Sequence, residues 1–207
     1  MTITDPKMVP LAERSHVMIR AISAADAPML QAFIRRLSVR SRRFRFFSAL
    51  HDLSAEQLDE LVRVDQRQGL ALVALAERSE QTAIVAEARC VLDEASGDGE
   101  FAIAVADEYQ RRGLGTKLMC NLLAYASWKG VRQLFGEIMV DNQPMLALAR
   151  CLGFQIKTNI SDARTLIASI FPSNERRRAR LTLPAARWCN LVLRRPNALH
   201  PIAPSLE

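Results

Sequence analysis

Six residues, Gln110 to Gly115, have the composition of an anion-binding loop. Their order is Gln-Arg-Arg-Gly-Leu-Gly, and they lie between a short apolar run, Glu100 to Val105, and a segment with leucines at helical spacing. The two glycines allow the backbone to turn sharply and to approach a ligand without a Cβ in the way. The N–H groups at the start of the following helix point outward and, with the helix dipole, favour an anion. Arg111, Arg112 and Lys117 add positive charge.

The loop alone is weakly specific, because a glycine near a helix start also occurs for packing reasons. Two familiar phosphate motifs are absent from it. No Gly-Lys-Ser/Thr follows, as a P-loop requires, and the third glycine of a dinucleotide fingerprint is missing. The pattern therefore predicts an anion site of another kind.

A second motif follows the loop. A strand is predicted from Gln133 to Val140, then Asp141-Asn142, then a short helix that ends in Gly153-Phe154. Together, Glu100 to Phe154 resembles the acetyl-CoA-binding half of a GNAT-type N-acetyltransferase, whose pattern is Q/R-x-x-G-x-G/A, a strand, Asn, a short helix and Gly-Phe. The branch that it resembles most is the GNAT domain of bacterial protein lysine acetyltransferases. The resemblance covers roughly residues 16 to 171.

The resemblance implies an α/β (α+β) fold, with a mixed, mostly antiparallel sheet flanked by helices and a splayed cleft for acetyl-CoA as cosubstrate. It assigns the pyrophosphate to the loop of Arg111, Arg112, Gly113, Leu114, Gly115 and Thr116. It assigns the pantetheine arm to the edge of the central strand at Ile103, Ala104 and Val105. One backbone N–H of that edge would face the thioester oxygen as the oxyanion donor. Asn142 matches the asparagine that approaches the cosubstrate, although it equally suits a helix start.

Two glutamates are candidates for the general base. Glu100 opens the central strand where many relatives carry a glutamate that acts through water, and an apolar setting would raise its pKa toward the working range. Glu137 is the second candidate, because an acid in the middle of a strand is unusual unless it faces a cleft. Either residue could instead be a solvated carboxylate on a strand face.

The proton donor for the leaving thiolate departs from the family pattern. Many relatives place a tyrosine seven residues after the asparagine, and this chain has Ala149 there. Tyr109 precedes the loop and Tyr125 lies in the following helix, so neither is a clean substitute. Because a CoA thiol is a fair leaving group, water could donate the proton. The bacterial protein acetyltransferase branch also has alanine here.

Composition sets the broad class. A chain of 207 residues with 49% hydrophobic and 24% charged residues is typical of a globular protein that buries one core. No apolar run approaches the roughly 20 residues of a membrane span, and the N-terminus lacks a signal-peptide segment, so we expect a cytoplasmic protein. The four cysteines form no C-x-x-C pair; we expect them reduced and buried, with no metal site. They are Cys90, Cys120, Cys151 and Cys189.

Three parts are expected along the chain. Residues 1–15 are predicted to be a flexible arm, residues 16–171 the acetyltransferase domain, and residues 172–207 a basic extension. Within the domain, the patterns predict a strand at 16–22, a helix starting near Asp26, a helix over 54–64 and a hairpin of 70–77 with 82–92. Strands are also expected at 154–158 and 164–171.

Two basic segments admit more than one interpretation. Six arginines alternate with phenylalanines between Arg35 and Phe47, which fits solvated charge with aromatic packing, recruitment of an acidic substrate, or nucleic acid. The extension carries seven arginines against Glu175 and Glu207, a net charge of about +5. It could pack on its own domain or on a dimer mate, or bind nucleic acid, anionic lipid or a partner.

The function predicted is direct transfer of an acetyl group from acetyl-CoA to an amine, with a protein lysine favoured as the acceptor. A small-amine N-acetyltransferase is one alternative. A non-catalytic acyl-CoA-binding module with a basic interaction tail is another. A homodimer is left open.

Overall fold

The computed structural model describes residues 5–11, 16–48, 50–65, 67–78 and 81–172. In this part of the chain eight strands form one sheet, in the order β1-β2-β3-β4-β5-β6-β8-β7. Neighbouring strands are antiparallel except β5 and β6, which run parallel. The predicted mixed, mostly antiparallel sheet is therefore confirmed. The strands are β1 (Lys7–Pro10), β2 (His16–Ala21), β3 (Gly69–Arg78), β4 (Gln81–Asp93), β5 (Asp98–Val105), β6 (Leu134–Met139), β7 (Gln155–Thr158) and β8 (Thr165–Ile170).

Helices cover both faces of the sheet. They are α1 (Ala27–Arg36), α2 (Val39–Phe46), α3 (Ala55–Val62), α4 (Leu114–Lys129) and α5 (Gln143–Cys151). Arg45 of α2 bonds Glu87 of β4, whereas Tyr125 of α4 interacts electrostatically with Cys90 of the same strand. Because side chains alternate along a strand, α2 and α4 lie on opposite faces. None of the helices in the described ranges is long and apolar enough to cross a membrane.

Local sequence signals account for most of these elements. The predicted capping box opens α3: the Ser54 hydroxyl accepts from the Gln57 N–H at 3.2 Å, and the Gln57 side chain accepts from the Ser54 N–H at 3.0 Å. The helix α4 begins after Gly113 and ends before Gly130, and both glycines have the positive φ that favours this residue. The predicted hairpin forms as β3 and β4.

Three expectations need correction. Residues 7–10 were expected in a loose arm but form β1, which pairs with β2 at the sheet edge. Four residues that end in a proline give little periodic signal, and an edge strand tolerates proline because its outer groups need no partner. Cys90 is free and buried, but Cys120 and Cys151 are free and exposed, on the outer sides of α4 and α5. Arg45, expected among solvated charges, is buried.

Other expectations fall outside the described residues. These are the remainder of the arm at residues 1–4 and 12–15, the extension from residue 173 onward, and Cys189 within it. They stay predictions.

Candidate functional site

A gap between β5 and β6 forms the centre of the site. Among the described residues, the two parallel strands pair at Gly99 with Leu134 and at Glu100 with Phe135, and no further. Beyond that point β5 stays bound to β4 as far as Val105, while β6 stays bound to β8 along its whole length. The carboxyl halves of the two strands are therefore held apart, which confirms the splayed cleft.

Backbone groups of β5 face this gap. The N–H of Ala106 donates to Val85 of β4 at 2.8 Å, and the N–H of Gly99 donates to Gln133 on the other side at 2.9 Å. Because backbone groups alternate between the two edges of a strand, those of Ile103 and Val105 point toward the gap. The Val105 carbonyl accepts from the Gln110 side chain at 3.1 Å. This edge can therefore pair with an extended ligand as a further strand would.

The gap continues into a cleft with a volume of about 150 Å³. Four residues predicted from the sequence line it: Ile103, Ala104, Val105 and Asn142. Gln110, the first residue of the predicted anion-binding loop, also lines it. Five others line it that sequence reasoning did not assign to the site: Arg40, Ser41, Phe44, Asp107 and Pro144. Three of these belong to α2, so the basic and aromatic helix is one wall of the cleft.

The glycine loop borders the start of α4 beside this cleft. Arg111 and Gly113 both have positive φ, at 59° and 84°, which turns the chain sharply into the helix. A Cβ on Gly113 would meet no heavy atom within 4 Å, so the loop is open on that side. No side chain caps the helix start. Its first N–H groups are thus available to an anion.

Thr116, in the first turn of α4, has a buried hydroxyl that lacks a partner. The residue is 6% exposed, and its Oγ1 makes no hydrogen bond to any residue that the structure describes. A buried polar group without a partner carries a free-energy cost, and a ligand atom that bonds to the hydroxyl would remove that cost. Arg112 lies 5.7 Å from the Tyr109 ring, and Arg111 is exposed. Donors and charge at this loop fit a phosphate group.

The two candidate bases lie on one face of the sheet. Glu100 is in register with Phe135, and Glu137 has the same orientation as Phe135 two residues later. By this register Glu137 lies nearer to the open part of the gap, while Glu100 lies at the last paired position. The Thr165 hydroxyl is 3.3 Å from Glu137 Oε2. Neither glutamate is among the residues that line the described cleft.

Asn142 combines the two roles left open by the sequence. It begins α5, where its side-chain oxygen accepts from the Met145 N–H at 3.3 Å, and it also lines the cleft. Ala149, at the position of the family tyrosine, is fully buried. Tyr109 and Tyr125 do not line the described cleft. Burial raises the pKa of Tyr125 to about 12, and this residue lies behind the sheet in α4.

One polar cluster joins the start of α2 to the loop after β5. The Asp107 carboxylate accepts from the Ser38 N–H at 2.9 Å and from the hydroxyls of Ser38 and Ser41 at 2.8 Å each. Gln110 donates to the Ser41 hydroxyl at 3.2 Å. Partial burial alone would raise the pKa of Asp107, but the hydrogen bonds from Ser38 and Ser41 outweigh it and lower the pKa.

A buried ionic cluster holds the other end of α2. Arg45 donates to Glu87 Oε2 at 3.0 Å, and Arg89 donates to Glu87 Oε1 at 2.5 Å and to the Leu61 carbonyl at 3.1 Å. Burial alone would raise the pKa of Glu87, yet the two guanidinium groups hold it below its usual range. Burial lowers the pKa of Arg45 to about 10, which leaves the group charged at neutral pH.

Sequence reasoning missed both clusters, although an acid directly after a strand, as at Asp107, was a usable signal. Within the described ranges, no group of three or more His, Cys, Asp or Glu could hold a metal ion.

Comparison with known proteins agrees with this geometry. The profile of the acetyltransferase (GNAT) family matches residues 33–154. Acetyltransferase PA5475 of Pseudomonas aeruginosa is 32% identical over 157 residues, which cover 76% of this chain and 84% of that protein. The [ribosomal protein bS18]-alanine N-acetyltransferase of Escherichia coli is 41% identical over 68 residues, 33% of this chain and 44% of that protein.

A solved structure shows the same fold. The GNAT domain of S. lividans PAT superposes with a TM-score of 0.72 at 22% identity, and the match covers 80% of this chain and 96% of that domain. At this identity the likeness concerns the fold alone. The family profile spans more than half of the chain, and the Pseudomonas aeruginosa relative matches over most of its length. The chain therefore belongs to the acetyltransferase (GNAT) family, whose members transfer an acetyl group to an amine.

Proposed function

We propose that this enzyme takes the acetyl group from acetyl-CoA and transfers it directly to a primary amine, and that a protein lysine is the acceptor. The observation that carries the proposal is the combination of two features of the described residues: an edge at Ile103 and Val105 that pairs with no neighbouring strand, and an open helix start whose Thr116 hydroxyl lacks a partner. The edge suits an amide-containing arm, and the helix start suits phosphates at the end of that arm.

Roles of individual residues follow from this arrangement. The backbone of Arg111 to Thr116 would bind the pyrophosphate, with charge from Arg111 and Arg112. The pantetheine arm would pair with Ile103, Ala104 and Val105. An N–H of that edge, at Ile103 or Val105, would donate to the thioester oxygen as negative charge develops on it. Asn142 would contact the arm from the opposite wall.

At the carbonyl carbon the reaction forms one bond and breaks one. The nitrogen of the neutral amine attacks the carbonyl carbon, a C–N bond forms, and the C–S bond breaks as the thiolate leaves. The amine must first lose a proton, which we assign to Glu100 or Glu137 acting through water. Glu100 lies near the start of the strand that would bind the arm, and Glu137 lies nearer to the gap by register. The nitrogen loses a second proton as the amide forms, and this proton passes through water to the leaving thiolate, since no tyrosine lines the described cleft.

The choice of a protein acceptor has two supports. The motif around Asn142 and Ala149 resembles the bacterial protein lysine acetyltransferases. A relative that matches a third of the chain is named for acetylating an alanine of a ribosomal protein, so a protein amine is the acceptor there. The cytoplasmic location expected from the sequence is part of the same proposal.

The test is release of free CoA thiol from acetyl-CoA in the presence of two acceptor classes, lysine-containing peptides and small amines. Lysine peptides should accelerate release, and mass spectrometry should find the acetyl group on the lysine side chain. Acceleration by small amines alone would contradict the lysine assignment. Binding of acetyl-CoA without turnover by either class would favour the non-catalytic module.

Glu100→Gln and Glu137→Gln separate the two candidate bases. The variant that removes the base should lose the rise of kcat/KM with pH and most of the turnover, about 100-fold or more. It should still bind acetyl-CoA. Retention of the wild-type pH profile by both variants would contradict the assignment of either glutamate.

A further inference from the structure

Helix α2 runs along β5 in the opposite direction. Its first turn, at Ser38, is bonded to Asp107 just beyond the end of β5. Near its last turn, Arg45 bonds Glu87, which is in register with Ala104 inside β5. From Ser38 to Arg45 the helix rises about 10 Å, and from Asp107 back to Ala104 the extended chain covers about the same distance. The two attachments are therefore consistent with α2 lying antiparallel to β5.

This direction sets the depth of each α2 side chain in the cleft. The glycine loop lies beyond the end of β5, and β5 and β6 join at Glu100, so the cleft runs from the loop toward that junction. Arg40 and Ser41 line the cleft near the loop, and Phe44 lies one helical turn deeper. With phosphates at the loop, an arm paired with β5 would run past Arg40 and Ser41 toward the depth of Phe44.

Phe44 forms part of the wall of the cleft at this depth. Its side chain packs against Met139, the last residue of β6, with Phe47 against the pair, in a cluster separate from the main core. Phe44 and Met139 are 8% and 5% exposed. The contact therefore joins α2 to β6 across the gap, and the Arg40 guanidinium lies 5.2 Å from the centre of the Phe44 ring.

The wall that carries Phe44 cannot easily move aside. At one end of α2 the Asp107 carboxylate accepts three hydrogen bonds from Ser38 and Ser41. At the other end Arg45 is 2% exposed and bonded to Glu87. A helix held at both ends does not relax to admit extra methylenes, and overpacking a closed site is costly.

We propose that Phe44 sets the upper limit on the length of the acyl group and restricts the site to acetyl. This inference rests on the proposed use of acetyl-CoA. A larger acyl chain, such as butyryl, would meet the Phe44 ring, and a smaller residue there would leave room for the two additional carbons. Phe44 is thus a specificity residue, and it takes no part in proton transfer or bond formation.

The test compares binding of acetyl-CoA and butyryl-CoA by isothermal titration, in the wild type and in Phe44→Ala. The wild type should bind butyryl-CoA at least about tenfold more weakly than acetyl-CoA, and the variant should reduce this ratio to about threefold or less. Phe47→Ala is the matched control, because Phe47 packs on the same cluster but does not line the described cleft. It should keep the wild-type ratio.

Phe44→Leu covers the case in which Phe44→Ala fails to fold. Each ratio is taken within one variant, so a partly unfolded sample does not change it. The proposal is overturned if the wild type binds both thioesters equally, if neither Phe44 variant lowers the ratio, or if Phe47→Ala lowers it as much. Failure of the wild type to bind acetyl-CoA, butyryl-CoA and CoA would instead overturn the proposed function, and this inference with it.

Discussion

The Asp107 carboxylate accepts a 2.9 Å hydrogen bond from the backbone N–H of Ser38, across 69 residues of sequence. The same carboxylate accepts from the hydroxyls of Ser38 and Ser41. The helix dipole also stabilises a negative charge at the start of a helix. The loop that leads to the glycine motif and the helix that forms one wall of the cleft are therefore attached to each other.

Loss of this attachment should lower the free energy of unfolding by a measurable amount. Asp107→Ala should lower the free energy of unfolding by about 2 kcal/mol, because three hydrogen bonds to a carboxylate are lost. Urea unfolding of the purified protein measures the change. Asp141→Ala is the control, since Asp141 makes a half-exposed ion pair with Arg43 at 3.0 Å and should matter less. An equal loss in both variants would show that the Asp107 contacts add nothing beyond a surface ion pair.

The buried cluster around Glu87 should be more sensitive still. Glu87→Gln leaves the guanidinium groups of Arg45 and Arg89 buried without a compensating charge, and we expect a loss of about 3–5 kcal/mol. Asp59→Asn removes an exposed ion pair with Arg63 and should change little. Urea unfolding of the two variants and the wild type measures both losses, provided that the m-values agree. A loss for Glu87→Gln no greater than that for Asp59→Asn would contradict the account of α2 as a fixed wall.

Acid should destabilise the protein through the same groups. The folded-state pKa values of Glu87 and Asp107 are lowered, so the folded chain binds fewer protons than the unfolded chain near their ordinary values. Their stabilisation is fully present above about pH 5 and is lost as the pH falls through the lowered folded values. Urea unfolding between pH 7 and pH 3 should show the decline, less steeply in Glu87→Gln. Stability that is constant or rises on acidification would contradict it.

Thr116→Val should have opposite effects on the free and the bound protein. The substitution removes a buried hydroxyl without a described partner and keeps the side-chain shape, so the free protein should be equally stable or slightly more stable. If the hydroxyl contacts a phosphate, acetyl-CoA binding should weaken about tenfold, as for one hydrogen bond to a charged group. Thermal melts with and without acetyl-CoA measure both effects. Reduced stability of the free protein with unchanged binding would contradict the role given to Thr116.

Local patterns made much of the fold predictable. The glycines at the ends of α4, the leucine spacing between them and the capping box at Ser54 all act within a few residues, so α3 and α4 could be placed from the sequence. The edge β1 could not, because Lys7–Pro10 acquires its conformation from pairing with β2 rather than from its own composition.

The residues that form the walls of the cleft could not be predicted from local sequence patterns. Arg45 belongs to an arginine-rich segment whose composition predicts exposed side chains. Its burial depends on the ion pair with Glu87, 42 residues later. The bond from Ser38 to Asp107 spans a still longer stretch. The glycine loop, the strand edge and Asn142 could be assigned because they resemble a family motif, whereas α2 and Phe44 carry no comparable pattern and emerge from tertiary packing alone.

The most direct measurement is isothermal titration of acetyl-CoA into the wild type, Gly113→Glu and Gly130→Glu. Both glycines have positive φ at the ends of α4, and a Cβ on either would meet no heavy atom within 4 Å, so the two variants carry a similar backbone strain. Only Gly113 borders the proposed phosphate site. We predict micromolar binding by the wild type and by Gly130→Glu, and no detectable binding by Gly113→Glu. Absence of binding by the wild type, or unchanged binding by Gly113→Glu, would contradict the claim that this loop binds the cosubstrate.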